Sequence, residues 1–191
     1  MLKIDFQPFP CLKTERLILR KIAYEDQQEV FELLSNKNTA FFFQRPYAQN
    51  LDDASDFIQK IFAGIKADEW IFWGISLLGQ QQLIGTICLW NIDKINDKAE
   101  ISYELLPDYQ KKGYMKEALT AVVTYGFQKM KLKTVEAYTK RNNISSIKLL
   151  EKSNFVIDHP TLKEVDPHEW NDPDSIVYKL SNKVKKGSCG S

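Results

Sequence analysis

Hydrophobic and polar positions recur along the chain with two periods, and these lay out a succession of strands and helices. Residues 17–21 (Leu-Ile-Leu-Arg-Lys) read as a first strand, with Asp26 shortly after it. Val30, Phe31, Leu33 and Leu34 then follow helical spacing until the pattern breaks near Asn36. Residues 40–50, with Phe41, Phe42, Phe43, Pro46 and Tyr47, read as a loop or an irregular helix end. Asp52 opens a second helix with Phe57, Ile58, Ile61, Phe62 and Ile65 on one face. Residues 70–78 and 83–90 form a hairpin around Gly79-Gln80-Gln81. Gly85 inside the second of these strands marks a bulge or the close approach of another backbone. A polar loop at 91–98 leads to a strand at 99–106, which Pro107 ends.

There the period changes. Over 113–130, Met115, Ala118, Leu119, Val122, Gly126, Phe127 and Met130 share one face, with Lys116, Glu117, Thr120, Thr124 and Gln128 opposite: an amphipathic helix. A strand at 134–139, a short helix at 143–152 with Ile144, Ile147 and Leu150 inward, and strands at 155–157 and 175–180 complete the pattern. Helices interleaved with strands around a central hairpin predict an α/β fold, a mixed sheet covered on both faces.

Composition narrows the class. The 191 residues suit one domain, read as 1–182, with the small polar stretch 183–191 expected outside the fold as a disordered tail or an added remnant. Aromatic residues at 12% support a packed core. A net charge of +1 forces neither a nucleic-acid nor a membrane partner. No apolar run reaches the roughly 18–20 residues of a spanning helix, and residues 1–10 lack the pattern of a secretory signal. Cys11, Cys88 and Cys189 are odd in number and far apart, which suits reduced thiols in a cytoplasm.

Candidate chemistry begins where the 99–106 strand gives way to the long helix, across Leu105-Leu106-Pro107-Asp108-Tyr109-Gln110-Lys111-Lys112-Gly113-Tyr114-Met115. Unbonded N–H groups at a helix start, backed by the helix dipole, suit a phosphate. Gly113 lets that backbone approach a ligand, and Lys111 and Lys112 add positive charge. The alternative is a surface loop with solvated lysines. Neither a nucleotide P-loop nor a dinucleotide fingerprint fits the spacing.

The loop is one of four ordered motifs over residues 12–181 that resemble the GNAT superfamily of acetyltransferases. Gln110-x-x-Gly113-x-Met115 is similar to its pyrophosphate motif, with Met115 in place of a small residue and expected to turn its side chain into the core. Leu12-x-Thr14-Glu15-Arg16-Leu17-x-Leu19-Arg20 resembles the opening of the branch that acetylates ribosomal-protein N-termini (alanine or serine). Leu83-Ile84-Gly85-Thr86-Ile87 and Ala99-Glu100-Ile101-Ser102-Tyr103 resemble its central strands. Asn143-x-x-Ser146 running to Asn154-Phe155 resembles its late motif, with Asn154 as the left-handed helix stop where Gly is usual.

The resemblance implies a mixed, mostly antiparallel sheet of about seven strands flanked by helices and splayed at an acetyl-CoA cleft. It implies that Leu105 and Leu106 offer backbone groups to pantetheine and that pyrophosphate sits on the N–H groups of Gln110, Lys111, Lys112, Gly113, Tyr114 and Met115. Asn143 would bond the pantetheine arm, and Ser146 would bond the sulfur and help protonate the leaving thiolate. The competing reading makes Asn143 a helix cap and Ser146 a packed residue of the first turn. Acetyl-CoA is then the cosubstrate, no metal is needed, and a primary amine on a protein N-terminus or a small molecule is the acceptor.

Direct attack needs a neutral amine, so a base must take its proton. Strand alternation groups Glu100, Ser102 and Glu104 on one face, making Glu100 and Glu104 the base candidates, with Tyr103 on the other face and read as core. His159 and His168 have no companions at zinc spacing, and Cys88 reads as a buried thiol. The aromatic group Phe41, Phe42, Phe43, Tyr47, Trp70, Phe72 and Trp73 is expected to line an acceptor pocket or to form core or a homodimer contact. Two other functions stay open: a non-catalytic acyl-CoA-binding regulator, and an α/β domain without a CoA site.

Overall fold

The computed structural model describes residues 2–37, 46–158 and 174–182. Phe41, Phe42, Phe43, His159, His168, Cys189 and the 183–191 stretch lie outside the described residues. In chain order the elements are β1 (Leu12–Lys13), β2 (Leu17–Lys21), α1 (Gln27–Ser35), α2 (Leu51–Lys66), β3 (Ile71–Leu77), β4 (Leu83–Asp93), β5 (Lys98–Leu105), α3 (Tyr114–Tyr125), β6 (Thr134–Lys140), α4 (Ile144–Lys152), β7 (Val156–Asp158) and β8 (Ser175–Ser181). They form one eight-stranded sheet in the order β1-β2-β3-β4-β5-β6-β8-β7. Every pairing is antiparallel except β5 with β6.

The expected mixed, mostly antiparallel sheet is present, with eight strands rather than about seven. The additional strand is β1, only two residues long and too short to leave a periodic signal. β4 runs three residues past Trp90 to Asp93, into what the polar sequence suggested was loop. The long helix starts at Tyr114, keeps α-geometry to Tyr125, and ends in a wider π turn over Gly126–Met130.

Register and ring contacts assign the helices to faces. Phe72, Cys88 and Ser102 lie opposite one another on β3, β4 and β5, so their side chains share a face. Phe57 of α2 meets Phe72 edge-on at 5.8 Å, which puts α2 there, with α1 packed beside it. Trp73, Ile87 and Tyr103 share the other face. Tyr125 of α3 meets Trp73 at 5.5 Å, and Ser146 of α4 reaches Tyr103, so α3 and α4 cover that side. The core cluster draws on both faces, from Leu17 and Trp73 to Leu119, Leu150 and Tyr178.

Three local devices hold the framework. Arg20 grips the buried Asp26 with two guanidinium bonds of 2.8 and 2.7 Å, tying β2 to the start of α1. A Cβ on Gly85 would lie 2.3 Å from the Glu104 carbonyl oxygen, so the expected close backbone approach is real. Asn154 stops α4 in the left-handed region at φ 65°, as its place in the late motif required.

Candidate active site

The sheet opens at the parallel junction of β5 with β6. β6 pairs with β5 only through Thr134, Val135 and Glu136, against Lys98, Ala99 and Glu100. Beyond Glu100, β5 diverges, while β6 continues to Lys140 paired with β8. The Leu106 N–H bonds the Ile84 carbonyl at 2.9 Å, so strand alternation turns the backbone groups of Tyr103 and Leu105 away from β4 and toward the opening. The two expected backbone contributors therefore separate. Leu105 faces the opening, where its carbonyl accepts from Gln110 Nε2 at 3.0 Å. Leu106 does not, because its N–H is held by β4 and its carbonyl accepts from the Tyr109 N–H at 3.0 Å.

After a short turn at Pro107–Tyr109, Lys111 (φ 60°) and Gly113 (φ 83°) are both left-handed. Gly113 is the N-cap of α3, and Glu117 N–H is bonded back to the Gly113 carbonyl at 3.2 Å. The N–H groups of Tyr114, Met115 and Lys116 come before that first helical bond and point out of the helix start. Met115 is only 8% exposed and belongs to the core cluster, so its bulk leaves this surface clear. Lys111 and Lys112 are exposed, with the Lys112 ammonium 5.7 Å from the Tyr109 ring centre.

Arg16 and Glu117 frame the same loop, and neither carries a local sign of that role in the sequence. Arg16 donates to the Lys112 carbonyl at 3.1 Å, lies 4.7 Å from the Tyr114 ring centre, and pairs with Glu117 at 2.8 Å. Glu117 also accepts from the Thr14 hydroxyl at 2.6 Å and the Arg16 N–H at 2.8 Å. Partial burial pushes the Glu117 carboxyl up, but the bonds from Thr14 and Arg16 outweigh it and hold the pKa below the usual range. An open groove of ≈ 520 Å³ runs past Thr14, Arg16, Gly113 and Lys116.

On the α3–α4 side, Ser146 Oγ and Tyr103 OH lie 2.9 Å apart. Burial lifts the Tyr103 phenol to about 12, with the Ser146 bond pulling the other way. Asn143 does cap α4: its Oδ1 accepts from Ser146 N–H at 3.2 Å and from the Ser145 hydroxyl at 3.0 Å. Tyr103 packs against the core as expected, yet its hydroxyl also reaches this polar pair.

Glu100 and Glu104 sit on the opposite face, toward α1 and α2, opposite Trp90 and Thr86. Glu100 is 5% exposed and accepts from Asn91 Nδ2 at 2.5 Å. Trp90 Nε1 donates to Ser102 at 3.0 Å. Burial pushes the Cys88 thiol far up, which suits the inert role expected of it. The candidate residues thus form two groups, on either side of β5.

Comparison with known proteins decides the family. The family profile described as "Acetyltransferase (GNAT) domain" matches residues 16–156. The chain belongs to the GNAT family. It is an acetyl-CoA-dependent N-acetyltransferase. Among GNAT relatives, the uncharacterized N-acetyltransferase YoaA of Bacillus subtilis is 33% identical over 77% of this chain and 83% of its own. The RimL ribosomal L7/L12 α-N-protein acetyltransferase, solved with coenzyme A, superposes with a TM-score of 0.74 at 17% identity, covering 90% of this chain and 98% of that one. The spermidine N-acetyltransferase of Vibrio cholerae, solved with CoA and spermine, gives 0.70 at 20% identity, covering 87% and 94%. At these identities the two structures share the GNAT fold with this chain, and their acceptors, a protein in one and a polyamine in the other, belong to them. Among the described residues, no helix of this GNAT chain is long and apolar enough to cross a membrane.

Proposed function

We propose that the chain acetylates a primary amine, on a protein N-terminus or a small molecule, by direct attack on the thioester of acetyl-CoA held where β5 leaves β6. The observation that carries this reading is the opening beyond Glu100, which leads straight to the left-handed backbone at Lys111 and Gly113. These residues fit the cosubstrate. Pyrophosphate takes the outward N–H groups of the 110–115 loop, helped by the dipole of α3. Pantetheine takes the backbone of Tyr103 and Leu105 along the open edge, in place of a strand. The Oδ1 of Asn143 is committed to its cap, so its Nδ2 is the group that donates to pantetheine.

The amine nitrogen forms its bond to the acetyl carbon as the carbon–sulfur bond breaks. Glu100 takes the proton that the amine loses, directly or through a water; Glu104 is the second candidate. The Ser146–Tyr103 pair returns a proton to the thiolate. Holding both reactants side by side supplies much of the acceleration.

The test is a calorimetric titration with acetyl-CoA, with CoA and ATP as controls. Saturable binding of acetyl-CoA and CoA but not ATP is expected, followed by thiol release when an accepted amine is added. A folded sample that binds none of the three would overturn the cleft assignment, and binding without turnover across amines would favour a regulator.

A further inference from the structure

The roles above leave unused a cavity on the Glu100 face. It measures ≈ 380 Å³ and lies between the α2–β3 turn and the far end of β4, walled by Asp68, Glu69, Trp70, Trp90, Asn91 and Lys94. Its aromatic walls are fixed in place. The Trp70 ring lies against the backbone of Gly64, where an added Cβ would fall 1.9 Å from a ring atom, and its Nε1 donates to the Ile61 carbonyl at 3.2 Å. The Trp90 ring is held by its bond to Ser102. Asp68 (φ 55°) and Asn91 (φ 44°) both hold left-handed backbone, a conformation that Asn and Asp tolerate better than most residues. Asp68 and Glu69 make no ion pair among the described residues. Through Asn91, one wall of the cavity is a single hydrogen bond from Glu100.

We propose that this cavity is an acceptor subsite for a second ammonium group, so that the preferred acceptor carries an alkylammonium a few carbons from the reacting amine. Two carboxylates in a lining that also carries two indole rings attract a cation by charge, with the ring quadrupole adding where a face is presented, and repel an anionic group. Lys94 is exposed on the β4–β5 turn, and its flexible stem can carry its ammonium into water when a ligand cation enters. The subsite rests on the transferase reading, with Glu100 beside the reacting amine. A diamine or an N-terminal peptide with lysine in second place supplies the same chemistry.

The experiment compares acceptors that differ in that one charge. CoA release is followed with 1-aminobutane against 1,4-diaminobutane, and with the dipeptide amides Ser-Ala against Ser-Lys. The parent, the Asp68→Asn/Glu69→Gln double variant and an Asp56→Asn control are compared, the control removing an exposed charge elsewhere on α2. In parallel, 1,4-diaminobutane is titrated calorimetrically into the protein saturated with CoA. The parent is expected to favour the charged member of a pair by about fivefold in kcat/KM, mostly through KM, as one partly exposed ion pair with a cation–π contact provides. The double variant should lose that preference and bind 1,4-diaminobutane about fivefold more weakly, while the control keeps both. Which pair shows the preference identifies a diamine or a peptide as the source. Equal kcat/KM values in the parent, an undiminished preference in the double variant, or no diamine binding to a CoA-saturated sample would each overturn the subsite. Failure to bind CoA at all would overturn the transferase reading with it.

Discussion

Tyr103 and Ser146 place two hydroxyls 2.9 Å apart on the side of β5 where pantetheine is proposed to run. Because burial holds the phenol near 12, Tyr103 keeps its proton throughout the neutral range. Proton donation through the pair should therefore persist as pH rises, and a kcat–pH profile should show no Tyr103-dependent fall until pH approaches about 12. A loss near pH 8 that disappears in Tyr103→Phe would contradict this. Ser146→Ala should lower kcat by about 100-fold, the lower end of general acid–base contributions, with a smaller effect on acetyl-CoA affinity. Adding Tyr103→Phe should lower it little further, since the two act as a unit. Unchanged steady-state kinetics in Ser146→Ala would reduce it to a packing residue. Ser146 is legible only through the resemblance of Asn143-x-x-Ser146 to the family's late motif. The hydroxyl of Tyr103 is not, because alternation places it with Ile101 and Leu105, and its partner lies 43 residues further on.

Among elements, the strand–loop–helix unit from β5 to α3 was the most legible. Pro107, Gly113 and the change of period all mark it, and Gly113 supplies the left-handed backbone that only a residue without a Cβ adopts freely. Replacing it with Trp should abolish acetyl-CoA binding in calorimetry while circular dichroism stays that of the parent. Retained binding would remove the loop from the site. Gly85 gives a prediction about stability. Gly85→Val would force a side chain against the Glu104 carbonyl and should cost about 3 kcal/mol, measured by denaturant unfolding. The split between Leu105 and Leu106 was illegible, because it depends on which strand edge each residue's backbone faces. Arg16 and Glu117 were hidden for a related reason: the ion pair that frames the loop joins β2's approach to α3 across 101 residues of sequence.

Across the whole molecule, β5 separates two kinds of chemistry. The groups proposed for acetyl-CoA lie along its open edge and its α3–α4 face, and Glu100 lies on the α1–α2 face. Glu100→Gln should therefore lower kcat at least tenfold while the acetyl-CoA dissociation constant stays within about twofold, since only the proton transfer is removed. A large change in that constant would show the faces to be coupled. Apart from the two-residue β1, the order of strands and helices follows from periodicity and the turn residues between them. Alternation along β5 already puts Glu100 and Tyr103 on opposite faces; which helices cover each face depends on the register and the tertiary contacts, which no local pattern encodes.

The three-residue seam between β5 and β6 also bears on how the molecule holds together. β1 to β5 and the β6–β8–β7 leaf are each continuously hydrogen-bonded, and among the described residues the ladder between them is confined to Lys98–Glu100 against Thr134–Glu136, with the Asp97 carbonyl accepting from the Lys133 N–H at 2.7 Å just before it. A cosubstrate lying along the open edge would act as a staple between the two leaves, completing a ladder that the chain leaves unfinished. Amides of Tyr103 and Leu105 should then exchange with solvent faster than their neighbours in the empty protein and slow down on binding. The midpoint of thermal unfolding should climb with the logarithm of acetyl-CoA concentration.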